Sequence, residues 1–198
     1  TGDTGDTGDT GDTGNIAASG GGRTFADRVD LPFITEPGVA QQILPRAGFG
    51  DRNWAANWIA WLTLSDFTQT NWRTRVAPPA PPTPAQTVAE IETLKTMVLD
   101  ERPDALGEIF SQADEFMSYF LALAGASPSS HPATFRLLSM ANVVATFVAV
   151  QFKSQHNRPR PSQLCPALLP PLQVPGHASY PSGHATQAHL FGLCLKAI

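Results

Sequence analysis

The sequence predicts an all-α protein, a helical bundle, on three observations. From Val88 onward apolar residues recur at helical spacing. Prolines and glycines stand where those stretches begin and end. One stretch in the middle, Leu137 to Phe152, is apolar nearly all round, as a central buried helix should be.

The chain opens on a low-complexity stretch, residues 1–22, with (Thr-Gly-Asp)4-Thr-Gly followed by Gly20-Gly21-Gly22. Its glycine period lacks the prolines of collagen, and its aspartates are not spaced as an EF-hand loop. It reads as a disordered, solvated tail. Residues 23–84 read as an N-terminal helical segment and a connector. Trp54, Trp58, Trp61 and Leu62 fall at helical spacing and are expected to be core. Pro78, Pro79, Pro81, Pro82 and Pro84 make a short polyproline stretch, read as a stiff connector rather than a recognition motif.

Residues 85–198 form the expected core. Thr83-Pro84 starts a helix whose face is Val88, Ile91, Leu94 and Val98, stopped by Pro103. A second helix runs from about Asp104, with Leu106, Ile109, Phe110, Ala113, Met117, Phe120 and Leu121 on its apolar face and Gly125 as terminator. A third begins near Ser130 or Pro132 and reaches Asn157, beyond which Pro159 and Pro161 prevent continuation. Residues 158–181 then carry seven prolines in 24 positions, a long loop of the kind that is usually functional or disordered. A fourth helix opens at Pro181-Ser182 and runs through Leu195.

Charge narrows the function. The formal net charge of −4 belongs to the four aspartates of the opening repeat; the remainder balances 13 acidic against 13 basic residues. A nucleic-acid-coating role needs a basic excess and is excluded. The last 83 residues, after Glu115, contain no carboxylate side chain, yet they hold Arg136, Lys153, Arg158, Arg160 and Lys196. A Ser-His-Asp triad, a carboxylate pair or an oxygen-ligand metal site is therefore excluded there. Cys165 and Cys194 make neither a disulfide framework nor a zinc pattern and read as packed free thiols. The 16 residues Leu137–Phe152 are short for a membrane span. The chain reads as soluble and not membrane-bound, with the compartment open, periplasmic and secreted among the choices.

Two clusters flank the proline-rich loop. The first runs from Lys153 to Arg160-Pro161, with cations at its two ends. The second is Tyr180-Pro181-Ser182-Gly183-His184 at a helix start, where unpaired N–H groups favour oxyanions. Gly183 allows close backbone approach, Ser182 adds a hydroxyl and His184 a titratable imidazole. Together they suit a tetrahedral oxyanion, and phosphoryl transfer relies mostly on such positioning and charge stabilisation.

Lys153-x6-Arg160-Pro161 followed by Pro181-Ser182-Gly183-His184 resembles the first two signature motifs of the type 2 phosphatidic acid phosphatase superfamily. That superfamily joins lipid phosphatases, bacterial acid phosphatases and vanadium-dependent haloperoxidases. The resemblance covers about residues 130–198 and implies a helical bundle of the acid phosphatase/vanadium haloperoxidase type. It implies that Lys153, Arg160, Ser182 and the Gly183 amide bind the oxygens of phosphate or vanadate. His184 would then serve as general acid to a leaving group, or as the acid–base residue of peroxide chemistry at vanadate. His177, in Pro175-Gly-His-Ala-Ser-Tyr-Pro-Ser-Gly-His-Ala-Thr-Gln187, resembles the algal bromoperoxidase version, where a histidine at this place hydrogen-bonds vanadate.

The superfamily's third motif, Ser-Arg-x5-His-x3-Asp, supplies the phosphatase nucleophile or vanadium ligand, and this sequence does not contain it. A truncated chain is the expectation, with completion by another polypeptide or a dead site as alternatives. The functional expectations are three. The first is halide oxidation by peroxide with vanadate as cofactor; the second is phosphomonoester hydrolysis through a phosphohistidine, without a cofactor; the third is a non-catalytic anion-binding domain. A membrane lipid phosphatase ranks below them. Expected partners are a small oxyanion or phosphomonoester, peroxide and halide, and a homo-oligomeric mate or completing chain, with no nucleic acid. Arg158 is either a further anion contact or an exposed loop residue. His156 is expected in packing behind the pocket, His189 pointing elsewhere and His131 at a helix start.

Overall fold

A computed structural model describes Gly50 and residues 53–198, and the tail expectation for residues 1–22 lies outside them. The described residues are helical, without a strand. In chain order the helices are α1 (Ala56–Thr68), α2 (Trp72–Arg75), α3 (Pro84–Asp100), α4 (Arg102–Leu123), α5 (Pro132–His156), α6 (Pro161–Leu164) and α7 (Gly183–Ala197), with a 3-10 turn at Pro166–Leu168.

The boundaries follow local chemistry. Thr83 caps α3 reciprocally with Gln86: Thr83 Oγ1 accepts from the Gln86 amide, and Gln86 Oε1 accepts from the Thr83 amide. Helix α4 ends in a Schellman arrangement. Gly125 takes φ +62° while the Ala126 amide reaches Leu121 O and the Gly125 amide reaches Ala122 O. Pro132 opens α5, and Asn157, at φ 47°, closes it with its amide on Lys153 O. Arg158-Pro159-Arg160-Pro161 then leaves the helix axis.

Helix α5 is the centre of the bundle, with α1 and α7 both packed on it. It contributes Leu138, Ala141, Ala145, Val148, Ala149 and Lys153 to the buried set. One cluster joins Leu121, Leu138, Ala141 and Phe191, with Phe116, Phe120 and Phe135 against it. A second gathers the rings of Trp72, Phe67, Phe147 and Phe152. By length and composition Pro132–Leu164 is long and apolar enough to cross a membrane, a test that core helices also pass; here it carries the buried Lys153 and packs between two helices.

Two sequence expectations are corrected. The stripe Trp54, Trp58, Trp61 and Leu62 is exposed, not core. Helix α1 lays its opposite, smaller face on α5, with Ala60 fully buried, because alanine lets the backbones approach where tryptophan would hold them apart. On α3 and α4, Val88, Leu106 and Phe110 also stand exposed, so only part of each predicted apolar face meets a neighbour. Within α4, Glu115 leaves helical geometry at φ −135°, ψ 50°, at a position with neither proline nor glycine to announce it.

Candidate functional site

The two chemistry-bearing clusters meet across the proline-rich loop. Lys153 sits on the last turn of α5 and is 5% exposed. Its Nζ donates to Ala178 O at 2.9 Å and to Ser179 O at 3.3 Å. Arg160, two residues beyond Arg158, donates from Nε to His177 O at 2.8 Å and lies with a terminal guanidinium nitrogen 2.8 Å from His177 Nδ1. The loop is closed on itself by Ser179. Its amide and hydroxyl donate to Arg158 O, and the hydroxyl also donates to Pro159 O at 2.8 Å.

The Arg160–His177 contact fixes a tautomer. A guanidinium only donates, so His177 Nδ1 must be the acceptor and the ring proton lies on Nε2. The 3.1 Å approach of Nδ1 to Ala178 O is then a contact between two acceptors rather than a second hydrogen bond. His177 thus keeps Nε2–H as its ring donor.

Ser182 is the N-cap of α7, its Oγ accepting from the Ala185 amide at 3.2 Å. Gly183 is the first residue of that helix, with no atom near enough to meet an added Cβ. His184 is exposed, its ring edge-on to Phe116 with centroids 4.6 Å apart. The helix is tied back to α5 by Gln187, whose Nε2 donates to Asn142 Oδ1 and Thr146 Oγ1. The contacts of Lys153 and Arg160 end on residues 177–179, and Ser182, Gly183 and His184 occupy the start of α7 three to five residues beyond Ser179.

Arg158 does something else. It donates to Glu90 Oε2 at 2.6 Å and to Thr87 Oγ1 at 3.3 Å, fastening the loop to α3. It lines a cavity of about 300 Å³ with Thr87, Ile91, Leu94, Pro159 and Leu164. That cavity is mainly apolar, and neither Lys153 nor Arg160, Ser182 nor His184 lines it. His156 stacks near Phe152 and meets the Tyr180 ring at 5.4 Å, with its Nε2 buried and lacking a hydrogen-bond partner. His189 is exposed, and His131 is the N-cap residue of α5 with Nδ1 on Ser130 Oγ.

Sequence reasoning gave no role to Ser179 or Phe116, and it named Tyr180 only as the first residue of the second cluster. Ser179 joins the two ends of the loop and Tyr180 Oη donates to Pro79 O at 2.8 Å, a partner 101 residues away. Nothing in local spacing marks such long-range contacts. Among the described residues no group of three or more His, Cys, Asp or Glu is placed to hold a metal ion. Cys165 and Cys194 are free thiols. No protein-family model, curated protein or solved structure matches the chain.

Proposed function

We propose that the chain is a vanadium-haloperoxidase-like helical domain that binds a tetrahedral oxyanion, vanadate or phosphate, at its Lys153–Arg160 and 177–184 segments. The observation that carries this reading is the convergence of two cations, one of them buried, on residues 177–179 beside a helix N-terminus. Burying an ammonium is costly unless it is compensated, and a negatively charged oxygen compensates it better than a neutral carbonyl. In this reading Lys153 and Arg160 neutralise the anion, and Ser182 with the Gly183 amide orient it at the start of α7. His177 adds its Nε2–H. Exposed His184, in the first turn of α7, takes the acid–base role that the resemblance implies.

The fit to vanadate is a fit to its charge and oxygens. When bound in a haloperoxidase-type site, vanadate supplies the activation of peroxide toward halide. The histidine and aspartate that the resemblance expects for its ligation belong to a third motif, and these 198 residues contain no Ser-Arg-x5-His-x3-Asp. The residues present therefore support binding of the anion, and turnover is the extension of the proposal. The same donor set suits phosphomonoester hydrolysis, and these 198 residues taken by themselves suit the third reading, a non-catalytic anion-binding domain.

The test is calorimetric titration with phosphate, and with vanadate followed by vanadium NMR. Specific binding of one equivalent is expected. Absence of binding for both anions overturns the proposal. Assays of bromide oxidation with vanadate and peroxide, and of p-nitrophenyl phosphate hydrolysis, then separate the branches. Hydrolysis without halogenation rejects the haloperoxidase one, and binding without either activity leaves the non-catalytic domain.

A further inference from the structure

Residues 177–180 cross the two cations as a strap, and what the strap presents to them resembles a ligand. His177 O, Ala178 O and Ser179 O accept from Arg160 Nε and Lys153 Nζ at 2.8, 2.9 and 3.3 Å. Three backbone oxygens on two cations occupy donors that the proposed anion needs for its own oxygens. We infer that the strap is a displaceable occupant of the cation pair: oxyanion binding exchanges these carbonyls for ligand oxygens and lifts residues 177–180. This rests on the oxyanion reading proposed above and adds a conformational step to it.

Two further observations bear on the exchange. The strap is latched at its far end by a single exposed hydrogen bond, Tyr180 Oη to Pro79 O, on the connector before α3. Beside it the Tyr180 ring meets His156 edge-on at 5.4 Å, and the buried Nε2 of His156 has no hydrogen-bond partner, a cost that lifting the strap would relieve by admitting water. On the other side, Ser179 holds the closed state with its amide and hydroxyl on Arg158 O and Pro159 O. The bonds from Lys153 and Arg160 to the carbonyls already have an ionised donor. An anionic oxygen adds charge–charge attraction to them, so the anion competes with the neutral carbonyls once it arrives.

The exchange has a measurable signature. An exposed hydrogen bond contributes about 0.5–1.5 kcal/mol, which converts to about a two- to tenfold change in the open fraction. Apparent affinity scales with that fraction, so Tyr180→Phe should tighten inorganic phosphate binding by about two- to tenfold in calorimetry. Phosphate should also speed hydrogen exchange at the Ser179 amide in the wild-type chain, whereas an anion bound over a fixed strap slows it. Unchanged affinity in the folded variant, or slowed exchange at Ser179, overturns the strap and leaves the anion site standing. No phosphate binding in either protein overturns the anion site, and the strap with it. Should Tyr180→Phe fail to fold, the exchange measurement on wild type decides alone.

Discussion

At the residue scale, two arginines separated by one proline have different work. Arg160 turns toward His177, and Arg158 is held by Glu90 on α3. If Arg160 contacts the anion, Arg160→Ala weakens phosphate or vanadate binding by about 1.5–3 kcal/mol, the scale of a charge-assisted hydrogen bond. Arg158→Ala leaves that affinity unchanged, and calorimetry on both variants checks the pair. Cys194, packed against the Phe191 cluster, supplies a pH dependence of a known sign. Burial pushes its thiol above the ordinary value of 9.0. A raised value means the folded state holds the proton longer, so the contribution to stability is full below pH 9 and is lost as pH rises through the folded value. Denaturation midpoints measured from pH 8 to 11 should fall less steeply in Cys194→Ala than in wild type.

At the scale of single elements, the helix ends are chemically specified. Gly125 sits at φ +62°, and no atom lies within 4 Å of where a Cβ would be. Gly125→Ala therefore costs only the left-handed conformation, about 1–2 kcal/mol, read as a lowered urea midpoint with an unchanged slope. The same residue was legible in the sequence as a terminator, as were Thr83-Pro84, Pro132 and Ser182 at helix starts. Their signals are local, a cap or a fixed φ within one turn, and no distant contact is needed to read them. The break at Glu115 was not legible, because neither a proline nor a glycine accompanies it.

At the scale of the whole molecule, packing decided which apolar residues became core. Trp72 is 3% exposed among Phe67, Phe147 and Phe152, whereas Trp61 is 59% exposed on the outer face of α1. Trp72→Ala should cost about 3–5 kcal/mol. Trp61→Ala should stay within about 0.5 kcal/mol, as surface substitutions do. Thermal denaturation of the two variants, followed by circular dichroism, gives the comparison. Equal losses would show that the outer face of α1 is packed in solution.

By itself the sequence determined the all-helical class, the central place of α5 and the helix limits around Gly125 and Ser182, and it marked the two motifs on which the proposed function rests. Those follow from periodicity, capping and residue type, which act within a few positions. Only the tertiary structure decided that α1 turns its alanine face inward, that Arg158 pairs with Glu90, and that Lys153 and Arg160 both close on residues 177–179. Each of those choices joins residues far apart in the chain or selects one of two apolar faces. Local pattern cannot rank such alternatives, because their free energies differ only through the fit of side chains brought together by the fold.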